Sequence, residues 1–140
     1  MWTGSFETQA LFKPHIDNCT SSEVFIPMGL SVDLGFCIEK AERSAAEFNV
    51  ARQTCAALGM RLPETVEWTQ ACLKAPSGLV DMTGDWKWSS NFTFGISDAT
   101  AGGNGLHVMV SGYNNCRHSV VGEVFGGTAS AYSYAFRCVR

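Results

Sequence analysis

The chain has 140 residues, 46% of them apolar, with 10 basic and 13 acidic side chains and a net charge of −3. That length holds one core of ordinary size and excludes a second full domain. With only 16% of residues charged, the composition argues against disorder and provides no electrostatic footprint for nucleic acid or an anionic membrane; no window approaches the roughly 20 apolar residues of a membrane span.

In chain order, residues 1–22 carry Trp2, Phe6, Leu11, Phe12 and Ile16 without a sustained helical period, which predicts an extended lead-in before a domain over residues 23–140. The start, Met1 to Phe6, has no export signal and reads as a cut into a longer chain as readily as a natural beginning. Val24–Pro27 and Gly35–Ile38 read as short strands. Ser44 stands three residues before Glu47, the spacing of a reciprocal capping box, and Phe48, Ala51, Cys55 and Leu58 recur at helical intervals. A helix is therefore expected over residues 44–58, stopped by Gly59 in the left-handed conformation. Pro63 suits the first turn of a second helix, with Glu64 and Glu67 at its positive end and Trp68, Ala71 and Cys72 on one face. It should end near Lys74, before Pro76 and Gly78.

From there the period switches to two: Trp86 with Trp88, Val108 with Val110, and Tyr132, Tyr134, Phe136 and Cys138 on one face of a terminal strand. Ala101–Gly105 and Phe125–Thr128 are glycine-rich connections. Two early helices followed by short strands and long loops give an α+β class, the helices lying against an antiparallel sheet.

The six cysteines, Cys19, Cys37, Cys55, Cys72, Cys116 and Cys138, include no pair closer than seventeen positions. Together with His15, His107 and His118 they form none of the closely spaced pairs of a zinc site. Long-range disulfides in an oxidising compartment fit this spacing better than buried free thiols, with fifteen connectivities open.

Several segments carry a resemblance when read together. They are Gly35-Phe36-Cys37-Ile38-Glu39-Lys40, the helix with Ala51 and Cys55, Gly59-Met60-Arg61-Leu62-Pro63 before Glu67-Trp68, Asp81-Met82-Thr83-Gly84-Asp85-Trp86-Lys87-Trp88, and Ala135-Phe136-Arg137-Cys138-Val139. In this order they resemble formylglycine-generating-enzyme-like (sulfatase-modifying factor) domains, a branch of the C-type-lectin-like fold, over residues 24–139. The resemblance implies a disulfide from the first helix to the last strand, joining Cys55 to Cys138. Enzymes of the family oxidise a peptide cysteine with two copper-binding cysteines shortly before the final strand. Cys116 looks like one of that pair, but Ser111 stands at the partner position, and copper(I) wants two soft thiolates. The reading is therefore a non-enzyme without a cofactor, with Cys116 in a structural disulfide. The Glu-Pro-Asn-like and Trp-Asn-Asp motifs of calcium-dependent lectins are absent. Asp81, Asp85, Asn91 and Asp98 lack the alternation of a calcium loop and read as solvated loop residues, so no metal ligand is assigned.

Residues 89–136, 48 in all, hold three formal charges (Asp98, Arg117 and Glu123) and eight of the 14 glycines. Loops of Tyr, Ser, Gly and Asn have the composition of recognition surfaces. The candidate ligand-binding residues are Tyr113, Asn114, Asn115, Arg117, His118 and Tyr132. Asn114-Asn115 equally suits a simple turn, Tyr132 and Tyr134 a half-buried core, and Trp86 and Trp88 the core itself. Domains of this resemblance without the catalytic pair end phage tail fibres and bacterial fibre adhesins as trimeric tips. It thus implies a receptor-binding tip, a homotrimer with residues 1–22 as the end of a shaft, a cell-surface glycan or protein as ligand, no membrane insertion, and an extracellular, cell-surface or virion location. A copper-dependent formylglycine-generating oxidase and a structural spacer domain are the alternatives.

Overall fold

The computed structural model describes residues 19–29, 34–94, 106–125 and 132–140. The lead-in up to residue 18 and the glycine-rich segments at 101–105 and 126–128 lie outside them. Strand β1 (Glu23–Pro27) pairs antiparallel with β2 (Gly35–Glu39), Val24 opposite Ile38 and Ile26 opposite Phe36. Both expected early strands are present. The remaining strands form one sheet: β3 (Arg43–Glu47), β4 (Lys87–Phe94), β5 (Leu106–Ser111), β6 (Ser119–Phe125) and β7 (Ser133–Phe136), in the order β3-β7-β4-β5-β6. Its pairings are antiparallel except β4 with β7, which run parallel through Lys87 opposite Ala135.

The first helix, α1, covers only Phe48–Ala57, which corrects the expected start at Ser44. Residues 43–47 form β3 instead, with Ala46 opposite Tyr134 and Glu47 opposite Ser133. The Ala46 carbonyl accepts a hydrogen bond from the Trp88 indole at 2.7 Å. Pairing with β7 satisfies this backbone better than a helical turn does, so the tertiary contact overrides the local signal. Gly59 does adopt the left-handed conformation, at φ +69°. The second helix, α2 (Thr65–Lys74), starts two residues after Pro63. Its amino end is satisfied by Glu67, whose carboxylate accepts the Glu64 N–H at 2.8 Å, and by Asn91, whose Oδ1 accepts the Thr65 N–H at 2.5 Å. The capping box of this protein is thus Glu64 with Glu67.

Two cores lie on opposite faces of the large sheet. On one, Phe48, Ala51 and Cys55 of α1 pack on Trp88, Val108, Val110, Phe136 and Cys138. On the other, Trp68, Ala71 and Cys72 of α2 pack with Ile26, Phe36, Ile38, Met82 and Val139. Because both faces are covered, several polar side chains of the sheet are interior: Lys87, Ser89, Ser111 and Arg137 are each at most 1% exposed. Lys87 is paired with Glu42 at 2.7 Å and with Asp85. Arg137 donates to the backbone carbonyls of Glu39, Lys40 and Val80. Burial pushes its pKa below the usual arginine value, against the opposing influence of Glu42, Asp81 and Glu39.

Three disulfides close the structure and leave no free cysteine. Cys55–Cys138 is the pair that the resemblance implied; Cys19–Cys37 ties residue 19 to β2, and Cys72–Cys116 ties α2 to the β5–β6 connection. Three such bonds fit an extracellular protein. Among the described residues no helix is long and apolar enough to cross a membrane.

Candidate functional site

The β5–β6 connection, residues 112–118, carries five of the six candidate residues and is fixed at several points. Gly112 donates its N–H to the His118 carbonyl at 3.0 Å, closing the base of the loop. His118 donates to the Asn115 carbonyl at 3.3 Å, and the Arg117 N–H to Asn115 Oδ1 at 2.9 Å. Asn115 therefore organises the turn with its own side chain, while Asn114 and Arg117 are exposed at its tip. Cys116 anchors the tip to Cys72 of α2. From the other side, the Gly84 N–H is shared between the carbonyls of Gly112 and Tyr113 at 3.1 and 3.2 Å.

Gly112 allows this close seating. It sits at φ +100°, and a Cβ there would lie 2.7 Å from the Trp68 ring and 2.8 Å from the Met82 carbonyl oxygen. Gly112→Ala is expected to cost about 2–3 kcal/mol through combined backbone strain and overpacking. Urea unfolding monitored by tryptophan fluorescence measures this, and an unchanged midpoint would contradict a rigid loop base.

Seated in this way, the loop places Tyr113 and His118 on Trp86, just ahead of β4. The Tyr113 and Trp86 rings stack with centroids 5.0 Å apart and planes 20° from parallel; His118 meets Trp86 at 5.0 Å and 62°. Tyr113 is 48% exposed, so one face rests on Trp86 and the side chain still presents aromatic surface to solvent. Tyr132 lies apart from the loop, ahead of β7. It is 50% exposed rather than half-buried core, and it stacks on Tyr134. Tyr134 is partly buried against the α1-side core, edge-on to Trp88.

Trp86 was expected in the core with Trp88. Trp88 is fully buried, whereas Trp86 is only partly so and joins the exposed aromatic group. Its position one pleat before Trp88, beside the Gly84-Asp85 turn, is the sequence signal that places it at the rim.

The other chemistry-bearing groups are engaged in holding the fold. Ser111 and Ser119 share a hydroxyl hydrogen bond at 2.7 Å, and Cys116 is in a disulfide, so the positions resembling a copper pair offer no two thiolates. Asn91 caps α2 and Asp85 pairs with Lys87; Asp98 lies outside the described residues. Among the described residues, one group of three side chains, Cys19, Glu23 and Cys37, has metal-ligand spacing. Its two sulfurs are bonded to each other, and Glu23 pairs with Arg140 at 2.6 Å. What remains at the surface is a neutral aromatic platform flanked by carboxamides and one guanidinium, suited to binding by stacking and hydrogen bonding. Comparison with protein-family models, curated proteins and solved structures returns no match.

Proposed function

We propose that this chain is a recognition domain, the receptor-binding tip of an extracellular fibre or adhesin, which takes a cell-surface glycan or protein on the Tyr113–Trp86 platform. The observation that carries the reading is a half-exposed tyrosine stacked on a tryptophan and held in place by a disulfide-anchored loop. Rigid aromatic side chains give large contact area at little conformational cost, and aromatic residues are enriched among those that dominate binding energy. Asn114, Asn115 and Arg117 supply hydrogen bonding beside the platform. The α+β order of elements and the Cys55–Cys138 bond support the resemblance to the non-catalytic, C-type-lectin-like branch, and through it a homotrimeric tip at a cell or virion surface. A spacer domain gives no reason to build such a platform, and the oxidase reading lacks its pair of thiolates.

Binding of the purified chain to glycan arrays and to cell-envelope material tests this. Tyr113→Ala should weaken binding about tenfold or more, with the circular dichroism spectrum unchanged. Asn115→Ala should weaken it less, by loosening the turn rather than removing the contact. A stable monomer that binds nothing across a broad panel would count decisively against a tip domain.

A further inference from the structure

A second stacked pair stands beside the first. Tyr132 and Tyr134 lie with ring centroids 6.1 Å apart and planes within 4° of parallel. Lys87, the first residue of β4, pairs with Ala135 of the parallel β7, so Trp86 just ahead of β4 and Tyr134 on β7 each immediately precede that pair. Both pack against the core that contains Trp88 and Phe136, so they share a face of the sheet. Two stacked pairs thus stand on the same core at the beginnings of β4 and β7, Tyr113 on Trp86 and Tyr132 on Tyr134, with Trp88 meeting Tyr134 edge-on between them and the interior. Tyr113 and Tyr132 are 48% and 50% exposed.

Resting on the recognition reading, we propose that these two pairs bind the linear chain of a neutral oligosaccharide, with one sugar on Tyr113 and another on Tyr132. A pyranose ring has a C–H face that lies flat on an aromatic ring and a hydroxyl rim that pairs with carboxamides. Two stacked pairs repeat that surface, and Asn114 is exposed beside the first. No ring of the two pairs is charged, and Arg117 is the only formal charge in residues 112–118. That matches an uncharged chain better than a polyanion, which needs several cations. A single terminal sugar would cover one pair and leave the other without a role.

The test is a size series of neutral gluco- and N-acetylglucosamine oligosaccharides, from mono- to hexasaccharide, titrated into the full chain. Affinity should rise with length and then level off, each occupied pair contributing up to about tenfold. Tyr132→Ala should lower the affinity of the longest members by up to that factor and leave the disaccharide on Tyr113 unaffected, so that the length dependence flattens. Full affinity for the monosaccharide, or a Tyr132→Ala variant without effect where Tyr113→Ala is impaired, overturns the two-pair site and leaves the recognition reading standing. Binding to a protein receptor with no response to any sugar does the same. Failure to bind either class overturns both.

Discussion

Replacing Arg137 with methionine is expected to lower the unfolding free energy by about 2–4 kcal/mol, the order for removing a buried charged donor from several backbone carbonyls. Arg137 is 1% exposed and its guanidinium donates to the carbonyls of Glu39, Lys40 and Val80, which belong to two separate pieces of backbone. Methionine fills much of the volume but donates nothing, so the guanidinium's hydrogen bonds to these carbonyls are lost, and the Lys40 carbonyl keeps only the Val80 N–H at 3.3 Å. Each such loss costs about 1–3 kcal/mol, and relaxation keeps the total below the sum. Arg137→Lys separates charge from geometry. An ammonium carries the same charge on a single nitrogen and cannot span carbonyls on opposite sides, so lysine should recover only part of the loss. Urea unfolding curves with slopes compared between variants provide the measurement. A methionine variant within about 1 kcal/mol of the parent would mean that water enters and replaces the guanidinium.

Arg137 also marks a limit of the sequence reading. The alternation of Tyr132, Tyr134, Phe136 and Cys138 identifies an apolar face at Tyr134 and Phe136, but β7 covers only Ser133–Phe136, with Tyr132 exposed ahead of it and Cys138 buried beyond it. Period two alone then assigns Arg137 to solvent, because the usual antiparallel sheet has one wet face. Here α2 lies against β4 and β5, so Lys87 and Ser111 are interior, and Arg137, just past β7, is held among the backbone of residues 39, 40 and 80. Nothing in local spacing reveals that a sheet is covered twice. The start of α1 has the same cause: Ser44 and Glu47 form a plausible cap, yet a partner strand nearly ninety residues away takes that backbone. Signals that act within a few residues fared better. Val24–Pro27, Gly35–Ile38, Gly59 and the apolar face of α2 all stand as expected.

The poverty of charge between Ser89 and Phe136 divides in the same way. Ser89, Val108, Val110, Ser111, Ala135 and Phe136 are buried, so much of the deficit belongs to strands β4, β5 and β7 inside the fold and needs no ligand to explain it. Among the described residues, the part that reaches the surface as an organised feature is small: residues 112–118, with Trp86 beneath them and Tyr132 to one side. Composition pointed to this region, but the site depends on pairings that composition does not contain. Tyr113 meets Trp86 only because Gly112 fits under Trp68 and Cys116 is held by Cys72.

Removing the Cys55–Cys138 bond, by changing both residues to alanine, is expected to cost about 2–5 kcal/mol. The bond joins positions 83 apart in sequence and holds the last turn of α1 against the chain just beyond β7. In the unfolded state it closes the longest loop of the three bonds, since Cys72–Cys116 spans 44 positions and Cys19–Cys37 spans 18. Chain entropy alone separates these only modestly, because the dependence on loop length is logarithmic. Location adds to it. Both sulfurs' residues are fully buried among Phe48, Ala51, Leu62 and Trp88, so two alanines also leave a cavity where the sulfurs were. The order expected in denaturant midpoints is therefore parent first, the Cys19/Cys37 variant next and the Cys55/Cys138 variant last. If the Cys55/Cys138 variant unfolds at the parental midpoint, the contacts of Phe48 with Trp88 hold α1 to the sheet by themselves, and the crosslink serves kinetic protection rather than equilibrium stability.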